Sequence, residues 1–265
     1  MIKKARKYLR LLVVLLGASI SAQMEYRANF LVNLIGSLAT SAGALFGLDV
    51  VYGSSTTVGG WSYREAVVVV GMFVLIDGFI GAFLFPNLNR IAESVRLGTM
   101  DFTLMKPIDG QFLISAREIN VFRLVDVLVG LGLTVWALAG LPHVGAPELL
   151  LGFGLLISAL VIVYAICFML SVTAFWFVNV ANVIELFYGL FRAGQFPITA
   201  FPVWVRVLFT FVIPVAFITT VPSAGLVGRG SVAASLGAVA LAAALLLASR
   251  RFWRFALGNY TSASS

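Results

Sequence analysis

Residues 87–123 read NLNRIAESVRLGTMDFTLMKPIDGQFLISAREINVFR. This is the one long polar interruption in an otherwise apolar chain. It carries nine charged residues: Arg90, Glu93, Arg96, Asp101, Lys106, Asp109, Arg117, Glu118 and Arg123. Apolar segments flank it on both sides. It is therefore where a membrane-embedded body meets water, and where another protein can touch it.

Its first part has helical spacing. Glu93 lies three residues from both Arg90 and Arg96, so the three share a face. Leu88, Ile91 and Val95 fall on the opposite face. Gly98 can take the left-handed conformation that ends a helix. Thr99 can cap a new turn, with Asp101 placed well for its positive end. Pro107 breaks that turn, and Asp109-Gly110 reads as a tight turn. The pattern predicts a short amphipathic helix, a corner and a second short helix. A solvated loop with capped helix ends explains the same pattern.

Working outward, composition fixes the class. Of 265 residues, 61% are hydrophobic and 11% are charged, with mean hydropathy +1.03. Soluble domains are about 45–50% apolar and about 25% charged. The chain is an integral membrane protein. Its long apolar runs lack strand alternation, so the spans are helices and not barrel strands. The net charge of +7 comes from basic residues beside apolar segments, the signature of cytoplasmic membrane flanks and not of nucleic-acid binding. Cys167 is the single cysteine and His143 the single histidine, so neither an intrachain disulfide nor a zinc site is expected. No phosphate-cradling G-x-x-x-x-G-K-[ST] occurs. If ATP drives this protein, another chain hydrolyses it.

The chain is expected to be a single transmembrane domain over residues 1–265, all-α, with six spans. Residues 1–26 form a basic amino-terminal segment with Lys3, Lys4, Arg6, Lys7 and Arg10 and no acid before Glu25. It reads either as a secretory signal peptide or as an uncleaved amphipathic helix in the inner interface. Spans are predicted over 28–51, 65–85, 121–141, 149–175, 183–199 and 232–249. Asn179 and Asn182 would mark a polar turn before the fifth. Between the fifth and sixth, residues 201–229 are apolar but broken by Pro202, Pro214 and Pro222, which favours a re-entrant hairpin. Placing both termini and the 87–120 loop in the cytoplasm leaves only Arg64, Arg206 and Arg229 outside, as the positive-inside bias requires.

Charges at membrane depth are candidates for function. Asp77 falls near the middle of span 2, and Glu185 and Arg192 share a face of span 5. An unpaired charge at the bilayer centre costs about 2.5–3.5 kcal/mol. These residues either line a pathway or gate, or form buried structural pairs. Aromatic residues from Phe168 to Phe196 read as lipid contact and interface belt, with an acyl-chain slide as the alternative. Gly36, Gly43 and Gly47 would allow another helix to approach span 1 closely.

Three patches carry a resemblance to a known family: Gly98-Thr99-Met100-Asp101 with Leu104-Met105-Lys106-Pro107; Arg192 with Phe196-Pro197-Ile198 and Phe201-Pro202; and Ile213-Pro214-Val215-Ala216-Phe217 with Val221-Pro222. In this order and spacing the chain resembles the membrane subunits of ABC-2 type transporters, in particular their branch of uncharacterised permeases. The resemblance implies a six-helix permease, usually an exporter. It implies a partner permease, identical or related, and two cytoplasmic ATPase subunits that bind ATP and Mg. It also implies that the first inner loop is a coupling helix seated on the ATPase, which assigns that role to Arg90, Glu93, Arg96, Gly98, Asp101, Lys106 and Pro107. The re-entrant segment would line the outer exit, bringing Pro197, Pro202, Pro214 and Pro222 beside Asp77, Glu185 and Arg192 as pathway or gate candidates. No cofactor is expected on this chain. The resemblance does not name the cargo: lipid, glycan, peptide and drug all stay open, with the greasy interior favouring amphiphiles, and the basic amino terminus and lack of disulfides fit a bacterial inner membrane. The rival functions are an intramembrane lipid-acting enzyme, for which Asp77, Glu185 and His143 make a poor set, and a membrane scaffold for a cytoplasmic partner.

Overall fold

Span 2 does not stop at Pro86. In the computed structural model, which describes residues 2–23, 27–177 and 180–260, Tyr63–Arg96 forms one rod of 34 residues. Helix α3 (Tyr63–Phe79) runs through a π-helical turn (Ile80–Leu84) into α4 (Phe85–Arg96). Pro86 sits in the first turn of α4, where its missing N–H costs least. At 1.5 Å per residue the rod is about 51 Å long. The hydrocarbon core is about 30 Å thick, so α4 projects about 20 Å beyond it. The predicted short amphipathic helix is thus the continuation of a span and not a separate element.

The remaining helices are α1 (Ile2–Gln23), α2 (Arg27–Tyr52), α5 (Met100–Leu104), α6 (Gly110–Ser115), α7 (Leu124–Ala139), α8 (Ala146–Val172), α9 (Val180–Phe191), α10 (Val203–Val207), α11 (Val221–Leu226) and α12 (Val232–Gly258). Among the described residues, five helices are long and apolar enough to cross a membrane: Ala28–Tyr52, Tyr63–Arg96, Val121–Ala139, Ala146–Phe175 and Val232–Gly258. A sixth apolar unit, Val203–Val212 with Ala216–Leu226, is bent by 82° at its break. The break holds Pro214, which cannot donate to the ladder.

The predicted fifth span is shorter than expected. Helix α9 has 12 residues and continues as a 3-10 turn (Arg192–Gln195) before the chain turns extended at Phe196. Pro197 forces that exit. Twelve α-helical and four 3-10 residues cover about 26 Å, nearly the core thickness. Contacts at its two ends place it. Just before it, Trp176 packs on Phe252 and Phe255 near the end of α12. Just after it, Thr199 Oγ1 donates to Gly59 O in the α2–α3 loop at 2.9 Å. Asn182 falls within α9, and Asn179 lies outside the described residues.

The same contacts sort every loop to one of two ends. At the first end, Arg206 donates to Thr199 O at 2.7 Å, Arg229 pairs with Glu65 at 2.7 Å, and His143 Nε2 meets Val227 O at 3.2 Å. Both feet of the bent unit stand here, which makes it a re-entrant hairpin. At the opposite end, Arg250 pairs with Asp109, and Gln111 donates to Ser249 Oγ at 3.4 Å. Helix α1 docks at this second end: Tyr8 Oη accepts from Asp109 N at 3.3 Å, and Gln23 Oε1 accepts from Val121 N at 2.9 Å.

The core forms around α3, where Ala66–Val70, Met72 and Ile76 have almost no exposure. Ser62 and Glu65 start this helix with a capping box, Ser62 N donating to Glu65 Oε2 at 2.7 Å. Its main partner is α7. The crossing is close because glycines face it: a Cβ on Gly71 would lie 2.8 Å from Thr134 N, and one on Gly78 2.6 Å from Val127 N. Helix α8 packs on α12 and α11. Helix α2 is the outlier, with Phe30, Leu31, Val32, Ile35 and Phe46 exposed. A Cβ on Gly36, Gly43 or Gly47 would meet nothing within 4 Å.

Candidate functional site

The tip of the rod is built by a left-handed residue. Gly98 has φ +67°, a conformation that costs little only without a Cβ. It turns the chain from α4 into α5. Thr99 does not cap α5 through its side chain. Asp109 does cap α6, its carboxylate accepting from Phe112 N at 3.0 Å; this replaces the predicted Asp109-Gly110 tight turn. The two oxygens of Asp109 also hold Arg250, one at 2.7 Å. That guanidinium keeps the Asp109 carboxyl below its ordinary pKa against the opposing effect of burial.

The charges predicted along the rod sort differently than their spacing implies. Arg90 pairs across space with Glu118 at 2.8 Å, not along the helix with Glu93. Glu93 and Arg96 are exposed. Asp101 stands beside Tyr260, where burial first and the neighbouring carboxylate next raise the phenol pKa. Lys106 and Pro107 are exposed past the end of α5. Between them the tip presents Leu97, Phe102 and Met105, exposed by 58%, 67% and 72%. Within the hydrocarbon belt such exposure means contact with lipid. Beyond the end of a span it leaves apolar surface open at the end of the rod. The sequence reading weighed the charges here and missed these three.

A second polar centre lies near the end of α3, just before the π-helical turn. Arg123 Nη2 is 3.0 Å from Asp77 Oδ2, and its Nη1 is 2.7 Å from Asp126 Oδ2. The Tyr188 hydroxyl donates to the other Asp77 oxygen. Arg192 stacks over the Tyr188 ring at 5.3 Å. Measured along the helix, Asp77 is about 21 Å from Tyr63, past the bilayer middle toward the second end. The π-helical turn lies immediately after it, and Asn120 N donates to Ala82 O there at 2.8 Å. This centre ties spans 2, 3 and 5 together. Helical spacing along span 2 pairs neither Arg123 nor Tyr188 with Asp77.

Glu185 is exposed and lines a cavity of about 180 Å³ with Asn89, Ser171 and Leu88. It does not join Arg192. Of the prolines, Pro197 and Pro222 are buried, Pro202 precedes α10 and Pro214 sits in the break of the hairpin. Among the described residues no cluster of three or more His, Cys, Asp or Glu side chains gathers.

A bundle of membrane-spanning helices with a re-entrant hairpin at one end and a protruding lever at the other defines a multi-pass membrane protein. Residues 38–264 match the family described as ABC-2 family transporter protein. The chain belongs to that family and is the membrane component of an ABC transporter. No curated protein and no solved structure matches it.

Proposed function

We propose that this chain is a permease that couples ATP hydrolysis by a separate cytoplasmic ATPase subunit to export of an amphiphile. The ATP and Mg belong to that subunit, and a second permease completes the unit. The observation that carries the reading is the lever. A rod whose upper half is the core of the fold ends, about 20 Å beyond the membrane, in an apolar tip ringed by Arg96 and Lys106.

A lever transmits force only if it is stiff and anchored. The π-helical turn is braced by Asn120, and the rod's middle by Arg123. Movement of the tip therefore reaches spans 3 and 5 through Asp77, Asp126 and Tyr188. Coupling further requires that the ATPase hold the tip differently in its two states. The lever end lies in the cytoplasm because it carries most of the basic residues. The membrane is then the cell's inner or plasma membrane, with both termini on its cytoplasmic side. The exposed α2 face, with Gly36, Gly43 and Gly47 open, suits the second permease.

The test is reconstitution with the ATPase subunit that co-purifies. ATP turnover should rise when the permease is present and fall to the isolated level with Phe102→Asp. Stimulation that survives this change, in a permease that remains folded, contradicts the reading.

A further inference from the structure

Behind the lever tip lies a pocket that shares Arg90 and Lys106 with the coupling candidates but adds Arg117, Ser94 and Thr103, which that reading does not use. It sits between α1, α4, α5 and α6 and has a volume of about 50 Å³. Arg90, Lys106 and Arg117 converge on it, with Ser94 and Thr103. Arg90 is neutralised by Glu118. The side chains of Lys106 and Arg117 have no hydrogen-bond or ion-pair partner among the described residues, and neither do the Ser94 and Thr103 hydroxyls. Among the described residues no carboxylate lines the pocket. The remaining wall is Asn87, whose amide is already bonded to Phe83 O and to the Glu118 backbone, and apolar side chains, Leu15 and Ile91 among them.

Small volume and charge select the ligand. Drug-sized ligands and nucleotides need about 300 Å³ or more, so the pocket admits one small anionic group. Two uncompensated cations and two free hydroxyl donors suit a phosphate. The apolar wall suits a molecule whose remainder stays in lipid. Helix α1 supplies Leu15 to its wall, and the pocket lies at the end of the bundle opposite the hairpin. Basic pockets at a membrane boundary hold anionic lipid headgroups. We propose that this pocket binds the phosphate of an anionic phospholipid from the adjoining leaflet, bracing the back of the lever. The inference rests on the orientation proposed above only for which leaflet supplies the lipid.

The test needs no ATPase and no transport, so its failure is separate from failure of the coupling reading. The full chain is reconstituted in phosphatidylcholine vesicles with and without phosphatidylglycerol, gently extracted, and its retained lipids counted by native mass spectrometry. One cation near an anionic surface is worth on the order of fivefold in binding. Phosphatidylglycerol should therefore be retained over phosphatidylcholine by more than about tenfold. Arg117→Gln should cut that preference by about fivefold and Arg117→Lys should keep it. Arg117 is exposed, so these variants fold. Ser94→Leu, which fills the pocket, should abolish retention independently. Equal retention of both lipids overturns the proposal. So does an unchanged preference in both Arg117→Gln and Ser94→Leu. Loss of the lipid to inorganic phosphate alone would show a small-anion site and overturn it too.

Discussion

Arg123 reaches across from the start of span 3 to Asp77 at 3.0 Å, three residues before the π-helical turn of span 2. One guanidinium thus serves two carboxylates, Asp77 and Asp126. Removing one member of a buried ion pair leaves the other charge uncompensated. Arg123→Ala strands two acids in a site where Asp77 is 18% and Asp126 8% exposed. It should cost about 3 kcal/mol of stability, read as a lowered unfolding temperature in detergent. Adding Asp77→Asn should recover part of the loss. If Arg123→Ala alone unfolds like wild type, the joint does not hold the spans.

The Asp109–Arg250 pair gives a pH dependence of known sign. The folded-state pKa of Asp109 lies below its ordinary 3.8. Its contribution to stability is therefore present above the unfolded value and is lost as pH falls through the folded one. Wild type should exceed Asp109→Asn in unfolding temperature at neutral pH. The gap should narrow only once pH drops below about 4. A gap that closes between neutral pH and about pH 5 would rule out this pair as its source.

Gly71 and Gly78 set the approach of α3 to α7. Because a new Cβ would meet backbone nitrogen, the neighbour cannot simply rotate away. Gly71→Ala should destabilise by about 1–3 kcal/mol. Gly43→Ala on α2, which meets nothing within 4 Å, should leave the single chain's stability unchanged. A paired-permease contact on that face would appear instead as weakened association on sedimentation in detergent.

These elements differ in how legible they are from sequence. The membrane class, the positions of most spans, the Gly98 corner and the proline-broken hairpin follow from local rules: apolar run length, positive φ and a missing N–H. The continuity of α3 into α4 does not, because Pro86 reads as a stop unless it falls in a first turn. Nor do the partners of Asp77 and Arg90. Arg123 and Tyr188 lie 46 and 111 residues away from Asp77 in sequence, and Glu118 meets Arg90 only once the loop folds back. Helical spacing put Glu93 beside Arg90, but a tertiary partner won. The apolar tip was present in the letters Leu97, Phe102 and Met105. What hid it is that apolar residues draw no notice in so greasy a chain until their distance from the membrane is known.

The tip itself gives the sharpest energetic expectation. Buried aromatic anchors at interfaces are commonly worth about 2 kcal/mol or more. Phe102→Ala should therefore weaken ATPase association by about thirtyfold or more, while Lys106→Gln, at the rim, should alter chiefly its salt dependence.

The central claim is that the end of the rod touches an ATP-hydrolysing partner in the cytoplasm. The direct measurement places a photo-crosslinking residue at position 102 in cells and identifies what it captures. Capture of a cytoplasmic ATPase subunit, together with protection of a cysteine at 102 from impermeant thiol reagents applied outside, is the predicted result. Labelling of that cysteine from outside intact cells, or a crosslinked product containing no ATPase, would contradict it.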